Sequence, residues 1–150
     1  MLSNYEIPLP FTPAVDYDDL LGIDMDQGAA DMGAFIVPFK CEVVRAQAHV
    51  TETCAGTTTP VVDFDKRPTA GSDTNRGAAD IGHLVLGTTA AGKVMYDKVA
   101  KGTILYPGEE VVFELKTAAA TGPAGHVRPA LIVKPIPETL ANLTNMVETA

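Results

Sequence analysis

Hydrophobic and polar residues alternate along most of the chain from residue 34 onward, which is the pattern of half-buried β-strands. In the stretch "CEVVRAQAHVTE", apolar residues occupy every second position from Val44 to Val50, and polar residues fill the positions between them. In "VVDFD", the same alternation predicts Val62 and Phe64 inside and the two aspartates outside.

About seven such segments, separated by Gly, Pro, Asp and Asn, predict an all-β fold whose body is an antiparallel β-sandwich or jelly roll. We expect this body to cover residues 34–136. Residues 1–33 include "IPLPFTP" and show no sustained period, so we expect an extended N-terminal arm that a partner or neighbouring subunit orders. Residues 137–150 are expected to form a short C-terminal tail or helix.

Charge is distributed unevenly between these segments. The chain carries a net charge of −8, and residues 1–39 hold seven acidic residues and no Lys or Arg, which leaves 12 acids and 11 bases in the rest. An acidic arm would be repelled by a phosphate backbone, so no nucleic-acid partner is predicted. The longest apolar runs, such as "AFIVPF", are too short to cross a bilayer, and the start has no basic n-region, so no membrane partner or secretion is predicted either.

The two cysteines, Cys41 and Cys54, lie 13 residues apart in or beside one predicted strand. An odd separation places them on opposite faces of a continuous strand, where a disulfide cannot form. Free thiols suit synthesis in a reducing cytoplasm.

The stretch "GTTAAGKV" (87–94) is close to a phosphate-binding P-loop, but Val94 stands where the motif needs Ser or Thr. The residues after it alternate as a strand does, whereas a P-loop leads into a helix. We therefore predict a strand–turn–strand connection.

Three other patterns were weighed as sites of chemistry. "DMDQG" (24–28) resembles part of a calcium loop, but the twelfth position is Phe35 instead of Glu, which leaves only a weak surface cation site as an alternative. "YPGEE" suggests a cupin, yet the three histidines are isolated in sequence, so a cupin-like enzyme is a remote alternative.

Neither cysteine has an adjacent base. We predict no catalytic residue, no cofactor, no metal and no enzymatic activity.

Three stretches together carry a wider resemblance: "VPFKCEVVRAQAHVTETCAGTTTPVVDFDKRPTAGSDT", "TTAAGKVMYDKVAKGTILYPGEEVVFELKTAAATGPAGH" and "RPALIVKPIPETLANLTNM". Over most of residues 37–146, the pattern resembles the capsid decoration (cement) proteins of tailed bacteriophages. The resemblance implies a non-enzymatic virion protein on the outer capsid surface. It would bridge subunits of the major capsid protein and would assemble with itself as a trimer, or alternatively as a dimer.

We expect the interface with the capsid or with a sister subunit to use apolar and acidic residues of the arm and basic residues of the loop 66–77. These residues are Ile7, Leu9, Phe11, Asp16, Tyr17, Asp18, Asp19, Leu20, Leu21, Lys66, Arg67 and Arg76. Deleting residues 1–33 is expected to weaken attachment and to leave the body folded. The alternative function is a glycan- or ligand-binding β-sandwich module of a virion or cell surface.

Overall fold

The computed structural model of the protein describes residues 5–13, 17–18, 20–67, 80–98, 101–137 and 149. These residues form two antiparallel β-sheets that pack face to face, which confirms the predicted all-β sandwich. Across the described ranges, no helix has the length and hydrophobicity that a membrane span requires. The helix considered for the C-terminal tail falls on residues outside those ranges.

In chain order the strands are β1 (Ile7–Pro10), β2 (Thr12–Pro13), β3 (Tyr17–Asp18), β4 (Gly22–Asp24), β5 (Ala30–Ile36), β6 (Cys41–Ala55), β7 (Val61–Arg67), β8 (Asp80–Val85), β9 (Val94–Asp97), β10 (Ile104–Leu105), β11 (Glu110–Thr117) and β12 (Ala124–Pro135). Sheet A has the long strands β6 and β12 at its centre. Strands β9 and β10 pair with the free edge of β6, β1 and β4 pair with the free edge of β12, and β3 pairs with β4. Sheet B has the strand order β2-β5-β11-β7-β8.

The N-terminal segment differs from the separate arm that we predicted. Strand β1 pairs with β12 in sheet A, β2 pairs with β5 in sheet B, and β5 crosses the predicted boundary after residue 33. The side chains of Leu9 and Phe11 are only 8% and 7% exposed, and those of Met25 and Met32 are fully buried. These described parts of residues 1–33 are therefore built into the body.

The physical reason lies in the short motif "IPLPF". Its apolar residues stand at every second position, which is itself a strand pattern. Pro8 and Pro10 are compatible with that strand because β1 is an edge strand, where a missing backbone N–H costs no ladder hydrogen bond. The prolines are signs of an edge strand here, and the prediction of an extended arm from them is wrong for these residues.

The core between the sheets is centred on four phenylalanines. The ring of Phe11 lies 4.9 Å from that of Phe35, 5.4 Å from that of Phe64 and 5.8 Å from that of Phe113, measured between ring centroids. The first two contacts are edge-to-face, a favourable arrangement of aromatic pairs. A residue from the predicted arm thus joins residues from β5, β7 and β11 in one aromatic cluster.

Both cysteines are free and buried, as predicted, but they do not lie on opposite faces. The pairing of β6 with β12 shifts at several points, the first of them at Val44. Each such bulge adds one residue to β6, so the residues after it point to the opposite face from the one that strict alternation predicts. Cys41 and Cys54 therefore both face the core. They remain roughly 40 Å apart along the strand, too far for a disulfide.

The stretch "GTTAAGKV" is a connection between β8 and β9, as predicted. The amide of Thr89 donates a hydrogen bond to the carbonyl of Leu86 (3.1 Å), and the amide of Lys93 donates one to the carbonyl of Ala90 (3.3 Å), so two tight turns follow each other. Gly87 and Gly92 both have positive φ, at 57° and 86°. These glycines let the chain reverse direction.

Candidate functional site

The outer surface of sheet B carries carboxylates in register across neighbouring strands. Glu114 of β11 lies opposite Asp31 of β5 on one side and opposite Asp63 of β7 on the other, because these residues alternate with core residues along their strands. Asp65 and Glu110 share this outer side. We call the surface formed by these five residues the acidic face.

Asp63 and Asp65 point away from the core, as predicted, but they are not exposed to solvent. Asp63 is 0% exposed and Asp65 is 3% exposed. The Nδ1 atom of His83 contacts one carboxylate oxygen of Asp63, and the Nζ atom of Lys116 lies 2.8 Å from the other. The backbone N–H of His83 also donates to Asp97 (2.8 Å), which fixes this part of β8. The buried charge of Asp63 is thus satisfied inside the chain, as a buried carboxylate requires.

A second buried carboxylate, Glu109, is paired in the same way. Its side chain accepts a hydrogen bond from the amide of Tyr106 (2.6 Å) and lies 2.5 Å from the Nζ atom of Lys66. Lys66 was predicted to belong to a loop that contacts a partner. It lies in β7 instead, and its positive charge is used within the chain.

The outer surface of sheet A has a different composition. Along β6, Arg45, Gln47 and His49 point outward while Ala46 and Ala48 face the core. Neighbouring strands add cations and two exposed apolar side chains to this surface. We call it the basic face; it comprises Arg45, Gln47, His49, Val94, Tyr96, Lys98, Lys101, Arg128 and Lys134.

A pocket of about 190 Å³ opens at one end of the basic face, and we call it the lysine pocket. It is lined by Glu6, Glu42, Val43, Val44, Arg45, Lys98, Lys101 and Lys134. Its four cations and two carboxylates leave a net charge of +2. Arg45 lies 3.1 Å from Glu6 and donates to Gln47 (3.0 Å), so its guanidinium already has partners.

The bulge in β6 explains why the pocket forms at this point. Val43 pairs with Val133 and Arg45 pairs with Ile132, so Val44 is an extra residue in β6. A bulge bends its strand and redirects side chains, and bulges are common beside functional sites. Here it lets Val43 remain in the core while Arg45 reaches the outer surface. Lys134 comes from β12, and Lys98 and Lys101 come from the connection after β9.

At the opposite end of sheet A, an Asx turn links the residues of "DMDQG". The amide of Asp26 donates to the Oδ1 atom of Asp24 (3.0 Å), and Nδ1 of His126 lies 3.2 Å from Glu52. Burial and then the neighbouring charge of Asp24 raise the pKa of Asp26. Among the described residues, no group of three or more His, Cys, Asp and Glu side chains is arranged to hold a metal ion.

The predicted interface residues that the structure describes do not come together as one surface. Ile7, Leu9 and Phe11 pack into the core of their own chain. Leu20 and Leu21 form the turn between β3 and β4, where Leu20 is exposed and its carbonyl accepts from Arg128. Tyr17 and Asp18 lie in β3 and Arg67 ends β7. Asp16, Asp19 and Arg76 lie outside the described residues.

The lysine pocket does not follow from the sequence pattern. Alternation correctly placed Arg45, Gln47 and His49 outward on β6, and that was the available signal for Arg45. It wrongly placed Val44 inward: the bulge leaves Val43 in the core and puts Val44 at the wall of the pocket. Lys98 and Lys101 are close to each other in sequence but distant from Lys134 and from Arg45. The pairing of β6 with β9 and β12 brings these three parts of the chain together. We compared the chain with protein-family models, with curated protein sequences and with solved structures, and none of the three comparisons finds a match.

Proposed function

We propose that this protein is a non-enzymatic structural protein of a phage virion, which binds the outer surface of the capsid and bridges subunits of the major capsid protein. The observation that carries the proposal is the composition of the basic face, which combines arginines with exposed Tyr96 and Val94 on one sheet surface. Aromatic residues and arginine are enriched in protein–protein interfaces. The resemblance to capsid decoration proteins supplies the identity of the partner.

The charge distribution supports a defined orientation on the shell. The chain has a net charge of −8 but collects cations on one sheet surface, so an acidic patch on a shell would attract this side and repel the other. Assembly with itself as a trimer, or as a dimer, would multiply modest contacts into strong attachment. A protein that binds only the assembled shell stabilises that shell. We place it on the outside of the virion, after synthesis in the bacterial cytoplasm.

The test is attachment to capsids that lack the protein, taken from the virus whose genome encodes the chain. Purified protein is mixed with capsids, and sedimentation with them measures binding. Val94→Glu should abolish or strongly reduce attachment, because it places a charge in the proposed interface. Val85→Glu is the matched control, since Val85 is similarly exposed (55%, against 47% for Val94) but lies on sheet B. Failure of the unaltered protein to sediment with capsids would overturn the proposal, and equal loss by both variants would overturn the assignment of the face.

One observation favours the alternative of a glycan- or ligand-binding module. Tyr96 is 58% exposed and lies opposite Gln47 on the neighbouring strand, an arrangement in which a sugar ring can stack on the aromatic ring and bond to the amide. Binding of the isolated protein to a glycan array, lost in Tyr96→Ala, would favour this function. Capsid attachment that Tyr96→Ala weakens, with no glycan bound, would count against it.

A further inference from the structure

The lysine pocket holds positive charge that the described part of the chain does not neutralise. In the part of the chain that the structure describes, no carboxylate oxygen lies within 4.0 Å of the ammonium group of Lys98, Lys101 or Lys134. The nearest specific contact is that of Lys98, whose Nζ atom lies 5.6 Å from the centroid of the Tyr96 ring. Glu6 is engaged with Arg45. The lysines therefore converge without a full complement of counter-charge.

Placing like charges around one opening is unfavourable unless an opposite charge enters it. Among the residues that line the pocket, the two acids Glu6 and Glu42 stand against four cations. The residual charge of +2 matches a ligand that brings two negative charges. This contrasts with Asp63 and Glu109, each of which has a cation of its own chain at 2.8 Å or closer.

The surroundings of the pocket indicate the class of ligand. Val43 and Val44 line its wall, and Tyr96 beside Lys98 continues an apolar strip on the open surface. A ligand that fits both features carries acidic groups next to apolar ones, as a short peptide segment does. An extended polyanion such as nucleic acid is repelled by the net charge of −8. The free lysines act as separate point charges, which suits side-chain carboxylates on a flexible segment.

We propose that the lysine pocket binds the paired carboxylates of an acidic segment of a partner protein, with an apolar residue of that segment against Tyr96. The pocket lies within the basic face, so the identity of the partner as a capsid subunit rests on the proposed function. The binding of carboxylates does not rest on it. The capsid-binding function and the binding of carboxylates in the lysine pocket can therefore be disproved independently of each other.

The experiment is a titration of the full chain, isotopically labelled for NMR, with a hexapeptide that contains two adjacent glutamates and a leucine. The same peptide with glutamine in place of glutamate is the matched ligand control, and inorganic phosphate is a third ligand. The variant Lys98→Gln/Lys101→Gln/Lys134→Gln tests the pocket. Lys93→Gln is the control variant, because Lys93 is an exposed lysine in the turn before β9 and does not line the pocket.

We expect the acidic peptide to shift amide signals of β6, β9 and β12, and the glutamine peptide to shift none. Each exposed ion pair lost should weaken binding about two- to fivefold, so the triple variant should lose roughly tenfold or more, while Lys93→Gln binds normally. Higher salt should weaken the binding further.

The inference would be overturned by no shift with the acidic peptide, by equal shifts with the glutamine peptide, or by unchanged affinity in the triple variant. Binding of phosphate without binding of the acidic peptide would also overturn it, since the ligand would then be a free anion. Capsid sedimentation separates this inference from the proposed function. If the triple variant attaches to capsids normally, the proposed capsid-binding function still holds, but the lysine pocket does not contribute to it.

Discussion

The outer surfaces of the two sheets both follow the alternation of polar and apolar residues, yet their charges are used differently. On the acidic face, Asp63 is fully buried and is held by His83 and Lys116 of the same chain. On the basic face, Lys98 and Lys134 line an open pocket and have no such partner within the described chain. The difference teaches that an outward charge on a strand is structural where neighbouring strands cover it and available for binding where they leave an opening.

Irregular strand pairing occurs both beside the covered carboxylate of Asp63 and beside the open lysine pocket. In β11 the pairing shifts between Leu115 and Thr117, so Lys116 is an extra residue at the edge of the Asp63 site. In β6 one of the extra residues is Val44, and the opening beside it is the lysine pocket. A bulge thus accompanies a covered carboxylate in one sheet and an uncovered group of cations in the other.

The largest expected effect comes from damaging the core that keeps the two faces apart. Phe11→Ala should lower the free energy of unfolding by about 3–5 kcal/mol, because it removes a ring that contacts three other buried or half-buried phenylalanines. Urea unfolding followed by circular dichroism measures the change. Tyr5→Ala is the control, since Tyr5 is 71% exposed and should change stability by about 0.5 kcal/mol or less.

Deleting residues 1–33 is the stronger form of the same test. The sequence pattern alone predicts that the body stays folded after this deletion. The structure predicts the opposite, because the deletion removes Leu9, Phe11 and most of β5 together with the buried Met25 and Met32. A truncated chain that still showed cooperative unfolding and native spectra would mean that the N-terminal segment is separable after all.

The next effect distinguishes the two faces directly. Lys116→Met keeps most of the side-chain volume but removes the charge beside buried Asp63, so it should destabilise the fold by about 1–3 kcal/mol. Lys98→Met removes a cation of the basic face and should change stability by about 0.5 kcal/mol or less. The two midpoints of urea unfolding are compared. Equal losses would show that the lysines of both faces have the same structural role.

The free energy of unfolding, measured at a series of alkaline pH values, tests the Cys54 thiol, which is buried in the core and belongs to neither face. Burial, and then the charge of Glu52, raise the pKa of the Cys54 thiol from 9.0 to about 11. The folded chain therefore holds this proton where the unfolded chain releases it. Its stabilising contribution is complete below pH 9 and is lost as pH rises towards 11, by about 2 kcal/mol.

Cys54→Ala should remove this part of the alkaline loss, and Glu52→Gln should reduce it. The free energy of unfolding at pH 8 and pH 10.5 gives the readout for each variant. The native thiol should also resist alkylation at pH 8, because both the raised pKa and the burial of Cys54 limit attack. Rapid alkylation of the folded chain would contradict this account.

The sequence carried enough information for the sheets but not for the assembly of the sites. Alternation correctly placed Phe64 and Val62 in the core and Arg45 outside, because a strand has a strict period of two. The same rule placed Cys41 and Cys54 on opposite faces, and it failed because the bulges in β6 change the period. The burial of Asp63 depends on Lys116, which is 53 residues away. Such contacts follow from strand pairing, which local patterns do not specify.

The smallest expected effect concerns the acidic residues that sheet A carries at the end away from the lysine pocket. The folded-state pKa of Asp26 lies above its ordinary value of 3.8, through slight desolvation of this exposed side chain and the charge of Asp24. The folded chain thus binds this proton more tightly than the unfolded chain, so stability that is present below pH 3.8 is lost as pH rises through the folded-state pKa. Asp26→Asn escapes that loss and should be more stable than the unaltered chain at pH 7, by about 0.5 kcal/mol or less because Asp26 is exposed and solvent screens the repulsion.

The advantage should vanish at pH 3, where Asp26 is protonated in both states. An advantage that persisted at pH 3 would mean that the asparagine stabilises the turn itself, and the acidic end of sheet A would then carry no electrostatic strain to contrast with its basic end.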